Sequence, residues 1–329
     1  MRLTWLTILL LITAVAPAAM EAIVPSSDVA VSVSVENCGV STAYADTPMR
    51  AFTMNQAATE IMLALGLQAR MVGTAFLDDA ILPEFADAYN AIQVRTTAYP
   101  SRDVLLGAQP DFVYAAYPSA FSDEAPGMRE LLQSGTASYL SPSRCEGRDA
   151  AGPDPMEKVF GEIRDIARIF RVLPRAEKLI ATYRSDLESV RRQIGAVTTP
   201  PRVFWWDSGL PPLVAGCCGT PNEILLMAGA QNVFHDLRGT LGRVGWSEVV
   251  ARNPEVIVLV DASWAPAAQK QQWLLANAGL AGVDAVKHRR FVTVSFSDAT
   301  PGVRNIATVR KVAAALYPEK FNTGQAEAP

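Results

Sequence analysis

The sequence predicts an α/β protein built of two Rossmann-like lobes with parallel-type sheets, joined by a long connecting α-helix and separated by a ligand cleft. Three observations support this prediction. Strand-like and helix-like segments alternate in both halves of the chain, the two halves share short motifs, and a helical pattern covers residues 155–196 between them. The length of 329 residues also suits two domains.

Composition and charge exclude several classes of protein. Half of the residues are hydrophobic, 19% are charged, and 22 Pro and 21 Gly are spread along the chain, which excludes a disordered, collagen-like or coiled-coil protein. The 29 basic residues are outnumbered by 33 acidic ones, and no long basic run occurs. We therefore expect no nucleic-acid partner.

The N-terminus has the pattern of an export signal. Arg2 precedes an apolar run over residues 3–15, and small residues around Ala16 and Ala22 suit a signal peptidase, which predicts a signal peptide at 1–22. The run is shorter than the roughly 20 residues that span a bilayer. An uncleaved anchor is the alternative. We expect a periplasmic or otherwise extracytoplasmic protein, with a leader segment at 23–47.

Segment by segment, the pattern gives two lobes and a connector. We expect the N-terminal lobe at 48–154, with elements at 50–54, 57–66, 70–74, 101–108, 110–115 and 137–140. The helical connector is expected at 155–196, where Pro174 restarts a second helix. The C-terminal lobe is expected at 197–318, with elements at 202–206, 222–229, 254–260, 290–295 and 303–316, and a disordered tail at 319–329.

Two motifs recur in both halves. Thr-Glu-Ile-Met-Leu-Ala-Leu-Gly at 59–66 matches Asn-Glu-Ile-Leu-Leu-Met-Ala-Gly at 222–229. Ser-Arg-Asp-Val-Leu followed by Pro-Asp-Phe-Val within 101–113 parallels Trp-Ser-Glu-Val-Val followed by Pro-Glu-Val-Ile within 246–257. We interpret them as a duplication, with chance similarity of common α/β elements as the alternative. Two such lobes leave a cleft at the carboxyl ends of their strands, where ligands bind.

Export makes the four cysteines interpretable, because oxidising compartments favour paired thiols. Cys38 and Cys145 lie near the two ends of the first lobe, so we predict a disulfide between them. Cys217 and Cys218 are adjacent, and they form either a vicinal disulfide or two partly buried thiols. Both are included among the candidate ligand-binding residues.

Aromatic residues concentrate at the expected strand ends, where large flat side chains suit an organic ligand. The candidates are Phe76, Tyr114, Tyr117, Phe121, Trp205, Trp206, Trp246, Trp264 and Phe296. For any one of them, a place in the core is the alternative. Because successive strand residues alternate sides, one of Trp205 and Trp206 is expected in the core.

Polar candidates complete the expected cleft. Arg243 and Arg304 are the cationic candidates, each with a surface position as the alternative, because a guanidinium can hold a carboxylate through two hydrogen bonds. Asn55 and Gln56 supply amides near a helix N-terminus, and Asp207 supplies an acceptor.

Hydrolytic catalysis, nucleotide-driven catalysis and metal binding by histidine find no candidate in the sequence, and a thiolate site at Cys217 and Cys218 is the alternative. His235 and His288 stand in no His-x-His or His-x3-His pattern, and no hydrolase or Walker motif is present. We therefore expect no enzyme activity, no catalytic residues, no cofactor and no bare metal site.

Together, the export signal, the duplicated units and the connecting helix resemble the periplasmic solute-binding proteins of ABC importers for ferric siderophores, haem and cobalamin. The resemblance covers about residues 48–318 and implies that a monomeric receptor delivers a chelated metal or a corrinoid- or haem-type compound to a membrane permease. It also implies one acidic docking residue per lobe, which points to Asp103 and, less well aligned, to Glu248. Each acid can instead simply favour a helix N-terminus. The alternative function is a secreted redox or catalytic protein that uses Cys217 and Cys218.

Overall fold

A computed structural model describes residues 32–145 and 155–321, and it confirms the predicted α/β architecture of two lobes. The strands are β1 Val33–Asn37, β2 Val40–Tyr44, β3 Ala51–Met54, β4 Met71–Ala75, β5 Val94–Thr96, β6 Phe112–Ala115, β7 Ala137–Leu140, β8 Arg202–Ser208, β9 Leu213–Ala215, β10 Gln231–Asn232, β11 Leu241–Arg243, β12 Val256–Asp261 and β13 Phe291–Ser295. The α-helices are α1 Gln56–Ala64, α2 Ala86–Asn90, α3 Arg102–Gly107, α4 Met128–Gln133, α5 Pro155–Ile169, α6 Leu173–Ile194, α7 Thr220–Met227, α8 Trp246–Arg252, α9 Ala267–Ala276, α10 Asp284–Lys287, α11 Phe296–Ala299, α12 Asn305–Leu316 and α13 Pro318–Phe321.

The first lobe contains a five-stranded parallel sheet in the order β5-β4-β3-β6-β7. Its central strands β3 and β6 are buried along their whole length. A strand that is apolar on both faces must be covered on both faces, and parallel connections place helices there. The carboxyl ends of these strands therefore form one edge of the lobe, and that edge faces the cleft.

The second lobe contains a mixed sheet of six strands. Strands β8, β12 and β13 are parallel neighbours, as expected, and β10 pairs in parallel with the start of β8. Strand β9 pairs antiparallel with β8, and β11 pairs antiparallel with β9, so these two strands form one edge of the sheet beside β8. These two three-residue strands were not predicted, because their backbone pairing depends on loops that meet only in the fold.

The duplicated motifs occupy equivalent positions in the two lobes. Helix α1 follows β3 and helix α7 follows β9, with a buried residue at most positions of each. Likewise α3 leads into β6 and α8 leads into β12. Both β6 and β12 pair with the first long strand of their own lobe, β3 and β8.

The connector consists of two helices, α5 and α6, that pack against each other. Val159, Ile163 and Ile166 of α5 are buried on one face, as their spacing requires. The break between the helices contains Arg171 at a φ of 56°, and Pro174 lies in the first turn of α6. Helix α6 also contacts α12 of the second lobe.

Residues 33–44, expected as a leader, form the hairpin β1–β2, which contacts α5. Cys38 lies in the turn of this hairpin and is bonded to Cys145, 107 residues away. The side-chain amide of Asn37 also donates to the Leu140 carbonyl and accepts from the Leu140 N–H. The hairpin is thereby attached to the end of the first sheet.

The expected chain termini lie largely outside the described residues. The residues outside the described part include the predicted signal peptide at 1–22, the leader up to residue 31 and residues 322–329 of the predicted tail. Residues Pro318–Phe321 form α13. Within the described part of the chain, no helix has the length and apolar character needed to cross a membrane.

Replacing both Cys38 and Cys145 by Ser is expected to lower the free energy of unfolding by about 2 to 5 kcal/mol, because the bond closes a long loop in the unfolded chain. Urea unfolding of oxidised protein measures the loss. The matched control replaces Cys217 and Cys218 by Ser. The disulfide between these adjacent residues closes the smallest loop that a disulfide can close. An equal loss in both double variants would contradict this explanation.

Candidate functional site

The cleft between the lobes contains two adjoining cavities, of about 750 and 260 Å³ when the open solvent space at their mouths is included. The larger lies against α5 and the second lobe, and the smaller lies against the first lobe. Ser143, Arg144, Thr300 and Pro301 line both, so the two cavities form one continuous space. A molecule bound in this space would contact both lobes and α5.

Tyr117, Asp78 and Gln56 form the wall on the side of the first lobe. The Tyr117 hydroxyl is buried and has no hydrogen-bond partner among the described residues. The Arg144 guanidinium lies over the Tyr117 ring, 4.6 Å from its centroid. Burial, and then the neighbouring Asp79 charge, raise the pKa of Asp78 to about 6. This wall offers both a hydroxyl and a carboxyl to a ligand.

Asp207, at the end of β8, lies on the opposite wall. Its carboxylate accepts a hydrogen bond of 2.9 Å from the Ser208 hydroxyl, and burial raises its pKa. Behind it, the buried Lys270 ammonium donates to the carbonyls of Asp207 and Val260. Burial lowers the pKa of Lys270 to about 8. The lysine thus fixes the backbone at the ends of β8 and β12.

The start of α7 completes this wall through Gly219, Thr220 and Pro221. Close packing fixes the preceding turn, since a Cβ on Gly216 would lie 2.4 Å from the Gly239 carbonyl oxygen. Cys217 and Cys218 are bonded to each other in this turn and lie just outside the cavity lining. Asn222 reinforces the turn by donating to the Cys217 carbonyl at 2.6 Å.

Aromatic side chains mark the rim on the second lobe. Phe296 lines the larger cavity, and the Trp264 ring packs edge-on against it at a centroid distance of 4.8 Å. Trp264 is 58% exposed, which is unusual for a tryptophan. Both side chains are therefore available to a ligand at the mouth of the cleft.

Glu162 of α5 forms part of the cavity surface and is 3% exposed. Its carboxyl accepts hydrogen bonds from the Tyr114 hydroxyl at 2.7 Å and the Ser141 hydroxyl at 2.9 Å. Burial outweighs these two bonds and raises its pKa to about 7. Because its partners belong to the first lobe, Glu162 fixes α5 to that lobe.

Polar contacts between the lobes lie beside the smaller cavity. The Arg304 guanidinium makes two hydrogen bonds to the Glu60 carboxylate, at 2.6 and 2.8 Å, and both side chains are buried. Glu60 also accepts from Gln56 at 2.8 Å, and the Ser297 N–H donates to Asp79 at 2.7 Å. Gln56 therefore lines the cleft while its amide is held by this network.

Four predicted candidates line the cleft cavities: Gln56, Tyr117, Asp207 and Phe296. Several others lie in the protein interior, away from the cavity lining. Trp205 is 0% exposed and Trp206 is 2% exposed, so both are core residues where one was expected, because helices cover both faces of the sheet. Tyr114 is also fully buried, under Glu162.

The remaining candidates have protein partners outside the cavity lining. Phe76 packs on Tyr99, and Phe121 packs on the first-lobe core. Trp246 packs between Trp206 and Trp273. Asn55 is 2% exposed, caps α1 from a φ of 75°, and donates to the Tyr99 hydroxyl.

Neither arginine predicted from the sequence lines the cleft cavities. Arg243 is exposed and donates to the Pro211 carbonyl at 3.0 Å. Arg304 is neutralised by Glu60 and lines a separate cavity beside α6 and α12. The cations that do line the cleft, Arg144 and Lys158, were missed. The sequence feature that could have identified Arg144 as a cleft residue is its place in the loop after the last strand of the first lobe.

The two docking candidates lie in the first turns of α3 and α8, Asp103 as the second residue of its helix and Glu248 as the third. The Asp103 side chain is 95% exposed. Glu248 is exposed as well, but its carboxylate accepts a hydrogen bond from the Gly245 N–H at 2.9 Å. In the described part of the chain, no three His, Cys, Asp or Glu side chains are grouped to hold a metal ion.

Two α/β lobes around a cleft, fixed by a helical connector, define the architecture of a solute receptor. The family described as periplasmic binding protein matches residues 53–297, and the chain belongs to this family. A periplasmic binding protein from Veillonella parvula is 30% identical, with a TM-score of 0.77 over 88% of this chain and 98% of that one. A Saccharomonospora viridis structure, named as an ABC-type Fe3+-hydroxamate transport system, is 21% identical, with a TM-score of 0.70 over 88% and 99%.

A vitamin B12-binding protein of Vibrio parahaemolyticus is also similar to this chain. It is 23% identical over 208 residues, which cover 63% of this chain and 69% of the relative. Family membership places the protein outside the cytoplasm and in a class of solute-binding proteins.

The buried Glu162 carboxyl predicts a pH-dependent stability. Its pKa in the folded protein is about 7, above its ordinary value of 4.5. Its contribution to stability is therefore complete below about pH 4.5 and is lost as the pH rises through 7, by about 3 kcal/mol. Glu162→Gln keeps one acceptor oxygen for one of the two hydroxyls, can donate from its amide to the oxygen of the other, and removes the titration. Relative to wild type, its free energy of unfolding should rise between pH 4.5 and 8.

Urea unfolding at a series of pH values measures the difference, with the exposed Glu124→Gln as control. Parallel stability curves for wild type and Glu162→Gln would contradict the prediction.

Proposed function

We propose that this protein captures a metal chelate, or a corrinoid- or haem-type compound, in the cleft and delivers it to the permease of an ABC importer. The observation that carries the proposal is a cavity in the cleft whose lining comes from both lobes and from α5. Much of its lining is apolar, including Val159, Phe296 and Ala299. Such a surface suits a large molecule with extensive apolar parts better than it suits a small hydrophilic solute.

The names of similar proteins support this choice of ligand class. One relative binds vitamin B12, and one structural neighbour belongs to an Fe3+-hydroxamate transport system. Both ligands are large organic metal complexes. The cleft described above supplies what such ligands need, an aromatic rim at Phe296 and Trp264 with a small number of polar groups inside.

We propose a binding role without catalysis, and an N-terminal signal peptide as the route of export. The alternative of a redox protein that uses Cys217 and Cys218 is less well supported. Those two cysteines are bonded to each other and lie in a turn that shapes the wall of the cleft. Family membership favours a receptor over an enzyme.

We further propose that Asp103 docks the first lobe on the permease. Its side chain is almost fully exposed at the start of α3, where it can meet a cationic partner. Glu248 is the weaker candidate in the second lobe, since its carboxylate already caps α8. The helices α3 and α8 correspond in the duplication, but Glu248 stands one residue further along its helix than Asp103.

Ligand capture is tested by tryptophan fluorescence and calorimetry with haem, cyanocobalamin and ferric desferrioxamine B. At least one should bind without turnover, and Phe296→Ala should weaken it by about 30-fold, the typical loss of a buried aromatic anchor. Leu226→Ala, an exposed apolar position on the outer side of α7, is the control. No binding of any of the three, or equal loss in both variants, would contradict the proposal.

Docking is tested in cells that depend on the importer for the bound compound. Asp103→Arg should leave ligand affinity within about twofold, as expected of a surface substitution, and should strongly reduce uptake. Asp123→Arg, also exposed on the first lobe, is the matched charge reversal. Normal uptake with Asp103→Arg, or equal losses of uptake with both variants, would exclude Asp103 as a docking residue.

A further inference from the structure

The start of α7 presents unpaired donors to the larger cavity. The first hydrogen bond along this helix runs from the Glu223 N–H to the Gly219 carbonyl. It leaves the N–H groups of Thr220 and Asn222 without an intrahelical acceptor, and Pro221 has no N–H. The partial positive charge of a helix N-terminus therefore faces the cavity.

Two threonines provide an independent sign of a ligand. Thr220 lines the cavity and is only 4% exposed. Thr240 lines the same cavity, and its buried hydroxyl has no hydrogen-bond partner among the described residues. Buried hydroxyls in proteins are nearly always paired. An unpaired one that faces a cavity indicates that a bound molecule supplies the partner.

Two side-chain cations line the same cavity. Lys158, one turn into α5, has no ion pair with a described residue. Arg144 stacks on Tyr117 and likewise has no ion pair within the described part of the chain. Arg304, by contrast, has a salt bridge with Glu60, and the Arg144 guanidinium interacts electrostatically with the Asp207 carboxylate.

The carboxyl groups around this cavity already have partners. Asp207 accepts from Ser208 and lies near Lys270 and Arg144. Glu162 accepts from Tyr114 and Ser141, and Glu223 accepts from the Met156 N–H at 2.8 Å. Asp78 lines only the smaller cavity, on the side of the first lobe. Asp207 and Glu162 are therefore hydrogen-bonded to protein donors, whereas Lys158 has no ion-pair partner among the described residues.

We propose that an oxyanion of the ligand, a carboxylate or a phosphate, binds at this end of the cleft. Thr220, Lys158 and the free N–H groups of α7 hold it, and we call this group of donors the α7 anion subsite. The apolar body of the ligand then packs on Phe296. This inference rests on the proposed function and specifies which ligands of that class the cleft selects.

The test compares pairs of compounds with and without the anion. The pairs are haem and its dimethyl ester, cyanocobalamin and dicyanocobinamide, and the ferric complexes of N-succinyl and N-acetyl desferrioxamine B. The first and third pairs present a carboxylate, and the second presents a phosphodiester. In any pair that binds, the anionic member should bind about tenfold more tightly, as expected for a hydrogen-bonded charge.

Variants assign that preference to the subsite. Lys158→Gln and Thr220→Val should each remove most of the difference within a pair, while the affinity of the member without the anion changes by less than about twofold. An unchanged affinity for the member without the anion also shows that the variants fold. Lys178→Gln, exposed on α6, is the matched control and should keep the full difference.

The outcomes separate this inference from the proposed function. Equal affinities within every pair that binds, or a preference that survives Lys158→Gln and Thr220→Val, would overturn the α7 anion subsite and leave the proposed function intact. Failure of all six compounds to bind would overturn the proposed function, and the inference with it.

Discussion

The buried ion pair between Glu60 and Arg304 joins the two lobes beside the cleft, and the shape of the cleft depends on it. Glu60 belongs to the first helix of one lobe, and Arg304 precedes the last long helix of the other. Removal of one partner of a buried pair costs about 3 to 5 kcal/mol, because the other charge is then left buried and uncompensated, so the closed arrangement requires both residues. The contact between Asp79 and the Ser297 N–H acts in the same direction.

With the lobes fixed there and along α5, the cleft has a polar and an apolar part. Glu162 and its hydroxyl partners occupy the surface of α5, Phe296 and Trp264 form an aromatic rim, and the donors at α7 form one end. A ligand in this space contacts both lobes and the connector together. Recognition by both lobes gives a receptor a means to distinguish the loaded from the empty state, since only a ligand that reaches both walls completes the contacts.

The architecture was predictable from sequence because it follows from local patterns. The apolar run of β12 and the duplicated helix motifs determine the parallel sheets without reference to distant residues. The cleft was only partly predictable. Arg304 resembles a ligand-binding arginine until its partner is known, and Glu60 lies 244 residues earlier in the chain. Lys158 and Thr220 carry no distinguishing motif, and their role arises only where α5 and α7 meet the same cavity.

Hydrogen–deuterium exchange tests most directly whether both lobes share one ligand. Exchange is measured without a probe and with whichever of haem, cyanocobalamin and ferric desferrioxamine B binds. The account predicts that binding slows exchange at three sites together: residues 115–121 of the first lobe, the start of α7, and the segment 296–302. Protection confined to a single lobe, or protection at the cavity beside α6 and α12 in place of the cleft, would contradict it.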